Sequence, residues 1–264
     1  MKGHSVWVWL LVLLGVLFFV VPLWGTFDFS LRAVRDQLTF AAYERVLTDP
    51  RFLPRFGYSL VMAALTIIGS ILVVVPAAYW VRLRVPQARP YVEFITLLPF
   101  VVPAIVLVFG LVRFYSRPPL PLTATELGSD VLLLCAYVAI TLPYMYRAVD
   151  IGLRSIDVRT LTEAAQSLGA GWPTIFWRVI LPNLRGSILS GAFLTFTTVI
   201  GELTIAVFLV RPAFGPYMAL LGQTRAYEPA ALAIMSLLMT WLAVGLIQYF
   251  GRSSRGEAQL AGAR

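Results

Sequence analysis

The sequence contains one cysteine, one histidine and one lysine, and these scarcities exclude several classes of protein. Cys135 cannot form an intramolecular disulfide, and with His4 it is too little for a metal site, so we expect no metal or cofactor on this chain. The only lysine is Lys2, whereas a phosphate-binding loop of the GxxxxGK[ST] type needs one within the chain. We therefore do not expect this chain to hydrolyse a nucleotide.

Charged residues are also scarce, since they make up 13% of the chain whereas soluble domains carry about 25%. Hydrophobic residues reach 59%, and the mean hydropathy is +0.82. This composition predicts an all-α membrane protein with several transmembrane helices. The formal net charge of +8 is typical of the cytoplasmic loops of membrane proteins. We accordingly expect a chain embedded in the lipid bilayer that binds no nucleic acid.

Stretches poor in charge locate the predicted spans. A helix crosses the apolar core of a bilayer with about 20 residues. Six such stretches predict a single membrane domain over residues 1–264. The predicted spans are about 6–25, 56–81, 94–112, 131–147, 186–210 and 229–251. Pro99 and Pro103 fall inside the third span, where we expect a kink or the end of a helix.

An even number of spans places both termini on the same side of the membrane. Of the 21 basic residues, 12 fall on that side and 9 on the other, and the other side also carries seven acids. Basic residues are enriched in cytoplasmic loops. We therefore expect both termini in the cytoplasm, together with the long connector 148–185 before the fifth span.

That connector is rich in signals for the start and the end of a helix. Ser155 or Asp157 is expected to cap a first short helix, and Gly169 and Gly171 are expected to end it. Pro173 suits the first turn of a second helix. The sequence thus predicts two short helices joined by a glycine bend at the cytoplasmic surface.

The first of these helices has features of a docking surface. Four residues are spaced to share one of its faces: Leu161, Ala164, Ala165 and Leu168. The small residues Ala164, Ala165 and Gly169 leave room for the backbone of another protein, and Glu163 offers a charge for a cationic partner. The alternative is an ordinary polar loop, which these residues by themselves do not exclude.

The connector also resembles a known motif. The residues that carry the resemblance are Glu163, Ala164, Ala165, Gly169, Val179, Leu181 and Pro182. In this order and spacing they are similar to the EAA motif of permease subunits of type I ATP-binding-cassette importers, although the family usually has isoleucine where this chain has Val179. In that family the loop forms coupling helices that seat in a cleft of a separate ATPase. The resemblance implies that Glu163, Ala164, Ala165, Gly169 and Pro182 contact an ATPase dimer, which binds ATP and magnesium.

The resemblance further implies a location and the remaining partners. Importers of this family lie in the bacterial inner membrane and receive a small solute from an extracytoplasmic solute-binding protein. Two permease subunits form their pathway. The stretch GELTIAVFL and the last spans resemble the group that serves polyamines, ferric ion and phosphonates, in which non-identical permeases are commonly paired. This implies a second, different permease and a polyamine or another small charged solute.

Glu202 is the one acid well inside a predicted span. A charge at membrane depth costs at least ~2.5 kcal/mol on insertion scales, so it rarely faces lipid. The preceding Gly201 would admit a neighbouring backbone or open the helix locally. We predict that Glu202 lines the substrate pathway, with or without direct contact to the solute. The alternative is a structural role, in which Glu202 pairs with an arginine or a backbone amide at the interface between subunits and holds the fold.

Two other functions compete with an importer permease. A self-contained secondary transporter usually carries an internal repeat and more spans, and we find no internal repeat. An intramembrane enzyme would need a nucleophile with a base, or a metal cluster, at membrane depth. The sequence contains no GxSxG or HExxH motif. The importer permease is therefore the function that the sequence favours.

Overall fold

A computed structural model describes residues 3–242 and 245 of this chain. Within those residues every regular element is helical, in agreement with the predicted all-α fold class. By its internal contacts the described chain divides into two compact units. One unit combines the residues up to Arg55 with Tyr217–Leu242, and the other is Phe56–Pro216.

The helices follow one another with short connections. The first six are α1 Gly3–Leu31, α2 Ala41–Leu47, α3 Phe52–Leu83, α4 Arg89–Val101, α5 Ala104–Tyr115 and α6 Glu126–Ser155. After them come α7 Val158–Ser167, α8 Trp172–Thr174, a π-helix at Ile175–Ile180, α9 Leu181–Asn183, α10 Arg185–Ile200, α11 Thr204–Phe208, α12 Phe214–Thr224 and α13 Glu228–Leu242. Single 3₁₀ turns precede α4 and α6.

Among the residues that the structure describes, three helices are long and apolar enough to cross a membrane, namely α1, α3 and α6. Two bent pairs raise this number to five if each pair counts as one span. In one pair α4 and α5 meet at 97°, and in the other Trp172–Asn183 meets α10 at 76°. The break between α4 and α5 falls at Pro103, which lies inside the predicted third span and has no backbone N–H for a continuous helix. The predicted sixth span, 229–251, lies partly outside the described residues.

The unit Phe56–Pro216 has its core where α3, α6 and α10 meet. Close approach of α6 and α10 depends on small residues, because a Cβ atom at Gly191 would lie 2.8 Å from the sulfur of Met145 and 3.2 Å from the Cβ of Ala148. Met145 and Leu153 of α6 are fully buried there. The connector after α6 therefore packs onto a rigid three-helix base.

The other unit combines the residues up to Arg55 with Tyr217–Leu242, and polar and aromatic contacts stabilise it. The hydroxyls of Ser30 and Tyr43 are 2.7 Å apart, and the rings of Phe29 and Tyr227 are 4.9 Å apart. Along α1, none of the residues in the most apolar stretch is buried within this chain. Because these side chains are apolar, lipid or another subunit must cover them.

Candidate functional site

The connector begins with a capped helix directly after α6. The Asp157 carboxylate accepts hydrogen bonds from the backbone amide of Thr160 at 3.1 Å and from the Thr160 hydroxyl at 2.7 Å. These bonds lower the pKa of the Asp157 carboxyl because they stabilise its charged form. Ser155, the other predicted cap, instead donates to the carbonyl of Gly152 at 2.8 Å. Asp157 therefore fixes the first turn of α7.

The end of α7 is set by one of the two predicted glycines. Gly169 has a φ of 78°, a left-handed conformation that glycine adopts without steric cost. Its amide donates to the carbonyl of Gln166 at 2.9 Å, and the amide of Ala170 donates to the carbonyl of Ala165 at 3.0 Å. This pair of bonds is a Schellman motif. Gly171 has a φ of −74°, which other residues also adopt, so the bend requires glycine at Gly169 and not at Gly171.

One face of α7 packs inward against α3. Val158, Thr162 and Ala165 are buried, and the hydroxyls of Thr162 and Tyr79 of α3 are 2.9 Å apart. Leu168, which we expected on the same face as Ala165, is 89% exposed. The prediction of one shared face fails at Ala165, because Ala164 and Leu168 are both exposed and adjacent residues lie about 100° apart around a helix.

The other side of the helix forms an exposed surface, which we call the loop face and define as Glu163, Ala164, Leu168 and Gly169. Glu163 accepts a hydrogen bond from Arg159 at 2.8 Å, and both side chains remain well exposed. A Cβ atom added at Gly169 would meet no atom within 4 Å. The loop face therefore combines an exposed leucine, open backbone and one ion pair, a combination suited to contact with another protein.

After the bend, Pro173 occupies the first turn of the second helical segment, as predicted. The chain then widens into the π-helix Ile175–Ile180. Ile175, Phe176 and Ile180 are buried in the same core as Leu153 of α6. This segment anchors the connector to the membrane-spanning helices, and π-turns of this kind are frequent at functional sites.

Pro182 lies in the first turn of the short helix α9. It has no N–H for the carbonyl of Arg178, four residues earlier. The side chain of Asn183 donates to the carbonyl of Val179 at 2.8 Å and so satisfies a second acceptor. Pro182 itself is half-buried and Ala165 is buried, so two of the five predicted docking residues lie away from the loop face.

Glu202 lies in a break between α10 and α11 and not in a continuous helix. Its carboxylate accepts from the backbone amides of Ile205 at 2.8 Å and Ala206 at 3.2 Å, the free amides at the start of α11. The Tyr137 hydroxyl donates to the same carboxylate at 3.2 Å. The Glu202 carboxylate is thus held by backbone amides of its own chain, and its pathway role stays a prediction.

A second polar group, which sequence analysis missed, lies in the same unit. Arg211 and Asp130 form an ion pair with an Nε–Oδ1 distance of 2.6 Å, and the Tyr58 hydroxyl donates to the same carboxylate oxygen at 2.5 Å. The Arg211 side chain is only 10% exposed. In the sequence Asp130 and Arg211 appeared as loop charges at the ends of two spans. Only the fold brings them together, so no sequence signal identified the pair.

A family model matches more than half of this chain. Residues 69–256 match the family model described as "Binding-protein-dependent transport system inner membrane component". This range covers α6, the whole connector, the loop face and Glu202.

Two curated relatives and one solved structure extend this match. The chain is 30% identical over 176 residues to a probable ABC transporter permease of Sinorhizobium fredii, an alignment that covers 66% of this chain and 31% of the relative. It is 29% identical over 177 residues to the spermidine/putrescine transport system permease protein PotC of Escherichia coli, covering 65% of this chain and 62% of PotC. The matched part is thus less than two thirds of either relative. A bacterial ABC transporter that imports alginate has the same fold, with a TM-score of 0.71, 16% identity, and coverage of 95% of this chain and 96% of that one.

Proposed function

The chain belongs to the family of binding-protein-dependent transport system inner membrane components, the permeases of ABC importers, and we propose that it forms half of the membrane pathway of an ATP-driven importer. In this proposal an extracytoplasmic binding protein delivers a small solute, and a second permease supplies the other half of the pathway. The chain itself carries out no chemical step.

The observation that carries the proposal is the loop face. It places an exposed leucine, a glycine with open space above its Cα and a paired glutamate on a helix that is anchored in the core through Thr162 and Ala165. Force applied to such a helix is transmitted to α3 and α6, because packed helices move as rigid bodies. We propose that an ATPase dimer with bound ATP and magnesium docks on this face and moves the spans through it.

The proposed orientation follows from the positions of the charges. The loop face and both termini lie in the cytoplasm, and the chain crosses the bacterial inner membrane six times. The positive-inside distribution of basic residues supports this orientation. The ATPase then meets the loop face from the cytoplasm, and the binding protein approaches from the other side.

The partner permease is proposed to be a different chain. The apolar and exposed surface of α1 offers an area that a second permease covers together with lipid. The similarity to PotC supports a polyamine-type importer, whose solute is a cation. Glu202 supplies the one acid in the break after α10, and we propose that it lines the pathway there while its carboxylate caps α11.

The test of the proposal is transport by the reconstituted complex. Proteoliposomes that contain this chain, its ATPase and the partner permease take up labelled spermidine when ATP and the binding protein are present, whereas this chain alone hydrolyses no ATP. Gly169→Asp places a charged side chain on the loop face and is expected to abolish both uptake and stimulation of ATP hydrolysis. Gly169→Ala introduces the same backbone strain without the charge and is the matched control, which is expected to retain both activities in part. Normal coupled turnover by Gly169→Asp would refute the docking role.

A further inference from the structure

A polar groove lies beside the connector, between the end of α3 and α7. Its cavity volume is about 620 Å³. Arg82 and Arg84 line it from the α3 side, and Arg159, Glu163 and Gln166 line it from the α7 side. We call this cavity the arginine groove. It belongs wholly to the unit Phe56–Pro216, so its walls are positioned by the core described above.

The acids of the arginine groove are already engaged. Glu163 accepts from Arg159 at 2.8 Å, and Asp157 is held by Thr160. Arg82 and Arg84, by contrast, form no ion pair with any side chain in the described part of the chain. The lining therefore carries three arginines against two acids, Asp157 and Glu163, and this net positive charge favours an anion.

Asp150 interacts electrostatically with Arg82, but it does not remove this excess of positive charge. Its carboxylate is shared by Arg89 at 3.3 Å and Arg154 at 2.5 Å. Arg84 is held against an aromatic ring instead of an acid, with its guanidinium carbon 5.9 Å from the centre of the Trp80 ring. Such stacking orients a guanidinium and leaves its N–H groups free for oxygen ligands.

The aromatic residues around the groove are those typical of the membrane interface. Trp80 and Trp172 are 46% and 37% exposed, and their rings pack edge to face with centres 5.7 Å apart. They stand where the apolar run of α3 gives way to arginines. Tryptophan at such a position marks the level of the lipid head groups. In the orientation proposed above, these tryptophans place the groove at the level of the phosphate groups of the cytoplasmic leaflet.

We propose that the arginine groove binds the phosphate of an anionic phospholipid, with Arg82 and Arg84 as its ligands. Arginine matches phosphate oxygens with paired hydrogen bonds, and anionic head groups are concentrated by basic residues next to a span. The C-terminal segment of this chain is a poor occupant, because it carries Arg252, Arg255 and Arg264 against a single acid, Glu257. A lipid in this groove would contact both α3 and the edge of α7, and so bear on the position of the loop face.

The experiment is a lipid titration of the purified full chain in detergent, followed by native mass spectrometry. Phosphatidylglycerol is compared with phosphatidylcholine for the wild type, for the double variant Arg82→Gln/Arg84→Gln and for the control Arg178→Gln/Arg185→Gln. The control removes two exposed arginines of the connector region that do not line the groove. We expect phosphatidylglycerol binding to weaken about tenfold in the groove variant, as for the loss of charge-assisted phosphate contacts, and to stay unchanged in the control. Phosphatidylcholine binding is expected to be the same in all three proteins.

Further measurements distinguish a bound phospholipid from a free anion and from the ATPase. Arg82→Lys/Arg84→Lys keeps the charges and is expected to retain part of the preference for phosphatidylglycerol, which shows that a loss in the glutamine variant is not a loss of folding. Equal phosphatidylglycerol binding by the wild type and the glutamine variant would overturn the proposal. Displacement of the lipid by inorganic phosphate at equal concentration would assign the groove to a free anion instead. Loss of ATPase co-purification with unchanged lipid binding would assign it to the ATPase. None of these readouts depends on solute transport, so they stand or fall separately from the proposed function.

Discussion

Tyr137 of α6 donates a hydrogen bond of 3.2 Å to the Glu202 carboxylate, which also accepts from the first free amides of α11. The contact ties the break after α10 to the middle of α6. Since Tyr137 is 1% exposed, its hydroxyl has no access to water and depends on this carboxylate.

Removal of the hydroxyl therefore has a measurable cost. Tyr137→Phe is expected to destabilise the chain by about 1 kcal/mol, the usual net value of one hydrogen bond. Glu202→Gln is expected to cost about 1–3 kcal/mol, because the amide that replaces the carboxylate offers one acceptor oxygen in place of two. Thermal unfolding of the purified chain in detergent measures both. A double variant whose cost equals the sum of the single costs would show that the two side chains do not interact.

Spermidine uptake tests the pathway role of Glu202 separately from its capping role. If Glu202 lines the pathway, Glu202→Gln lowers uptake more than Tyr137→Phe does, because only the first change removes a charge. Assembly with the ATPase is checked by co-purification. Unchanged uptake, solute preference and ATP hydrolysis in an assembled Glu202→Gln complex would leave the residue with its structural role alone.

The two glycines of the connector are expected to respond differently to alanine. Gly169→Ala forces a side chain into a left-handed conformation and is expected to cost about 1–2 kcal/mol, although no neighbouring atom obstructs the new methyl group. Gly171→Ala meets no such strain and is expected to be neutral or slightly stabilising. Unfolding of the two single variants, compared side by side, decides the matter. Equal costs would contradict the conformational argument.

Loss of one partner of the ion pair between Arg211 and Asp130 is expected to lower the stability of the chain, because it leaves the other charge unpaired. Arg211→Gln leaves the Asp130 charge with only the Tyr58 hydroxyl, and we expect a loss of about 1–3 kcal/mol, reduced from the value of a fully buried pair because Asp130 is partly exposed. Arg211→Gln combined with Asp130→Asn removes both charges and is expected to be less harmful than Arg211→Gln alone. A double variant that is less stable than either single one would contradict this reasoning.

The stability of the first turn of α7 is expected to fall on acidification, because its cap is the Asp157 carboxylate. The pKa of Asp157 is lowered in the folded chain, so its contribution is complete above the ordinary carboxyl pKa and is lost as the pH falls through the lowered value. Hydrogen exchange of the peptide 158–167 measures the effect after correction for intrinsic rates. Asp157→Asn is expected to show no such loss of protection on acidification. The same loss in both proteins would assign it to another group.

Local signals in the sequence were sufficient to predict where the helices of the connector begin and end. These signals depend only on neighbouring backbone groups. The structure has all three of them: the N-cap of α7 at Asp157, the end of α7 at Gly169 and the start of α8 at Pro173. The break near Pro103 was expected for the same reason, whereas the 97° bend was not, because packing against other helices sets the angle. The predicted face of α7 was wrong at Ala165, which is buried while Ala164 and Leu168 are exposed, because tertiary contacts decide which side of a helix is buried.

Contacts between residues far apart in the chain could not be predicted from the sequence. Tyr137 looked like one apolar position among many in its span, and Asp130 and Arg211 looked like solvated loop charges. Pairing of these groups follows from how α3, α6 and the segment after α11 come together, and a single sequence contains no record of that arrangement. The number of spans is likewise set by which bent pairs cross the membrane, so six spans stays a prediction.

The π-helix at Ile175–Ile180 makes this part of the chain tolerant of one change in length. A turn closed by bonds to the fifth residue holds one residue more than an α-helical turn. Deletion of one residue here would remove the extra residue and leave ordinary α-helical turns, so the residues on either side would keep their faces. The same deletion inside α10 would rotate the rest of that helix by about 100° around its axis. Relatives that lack one residue at this point are therefore expected to have an α-helix here and the same entry into their fifth span.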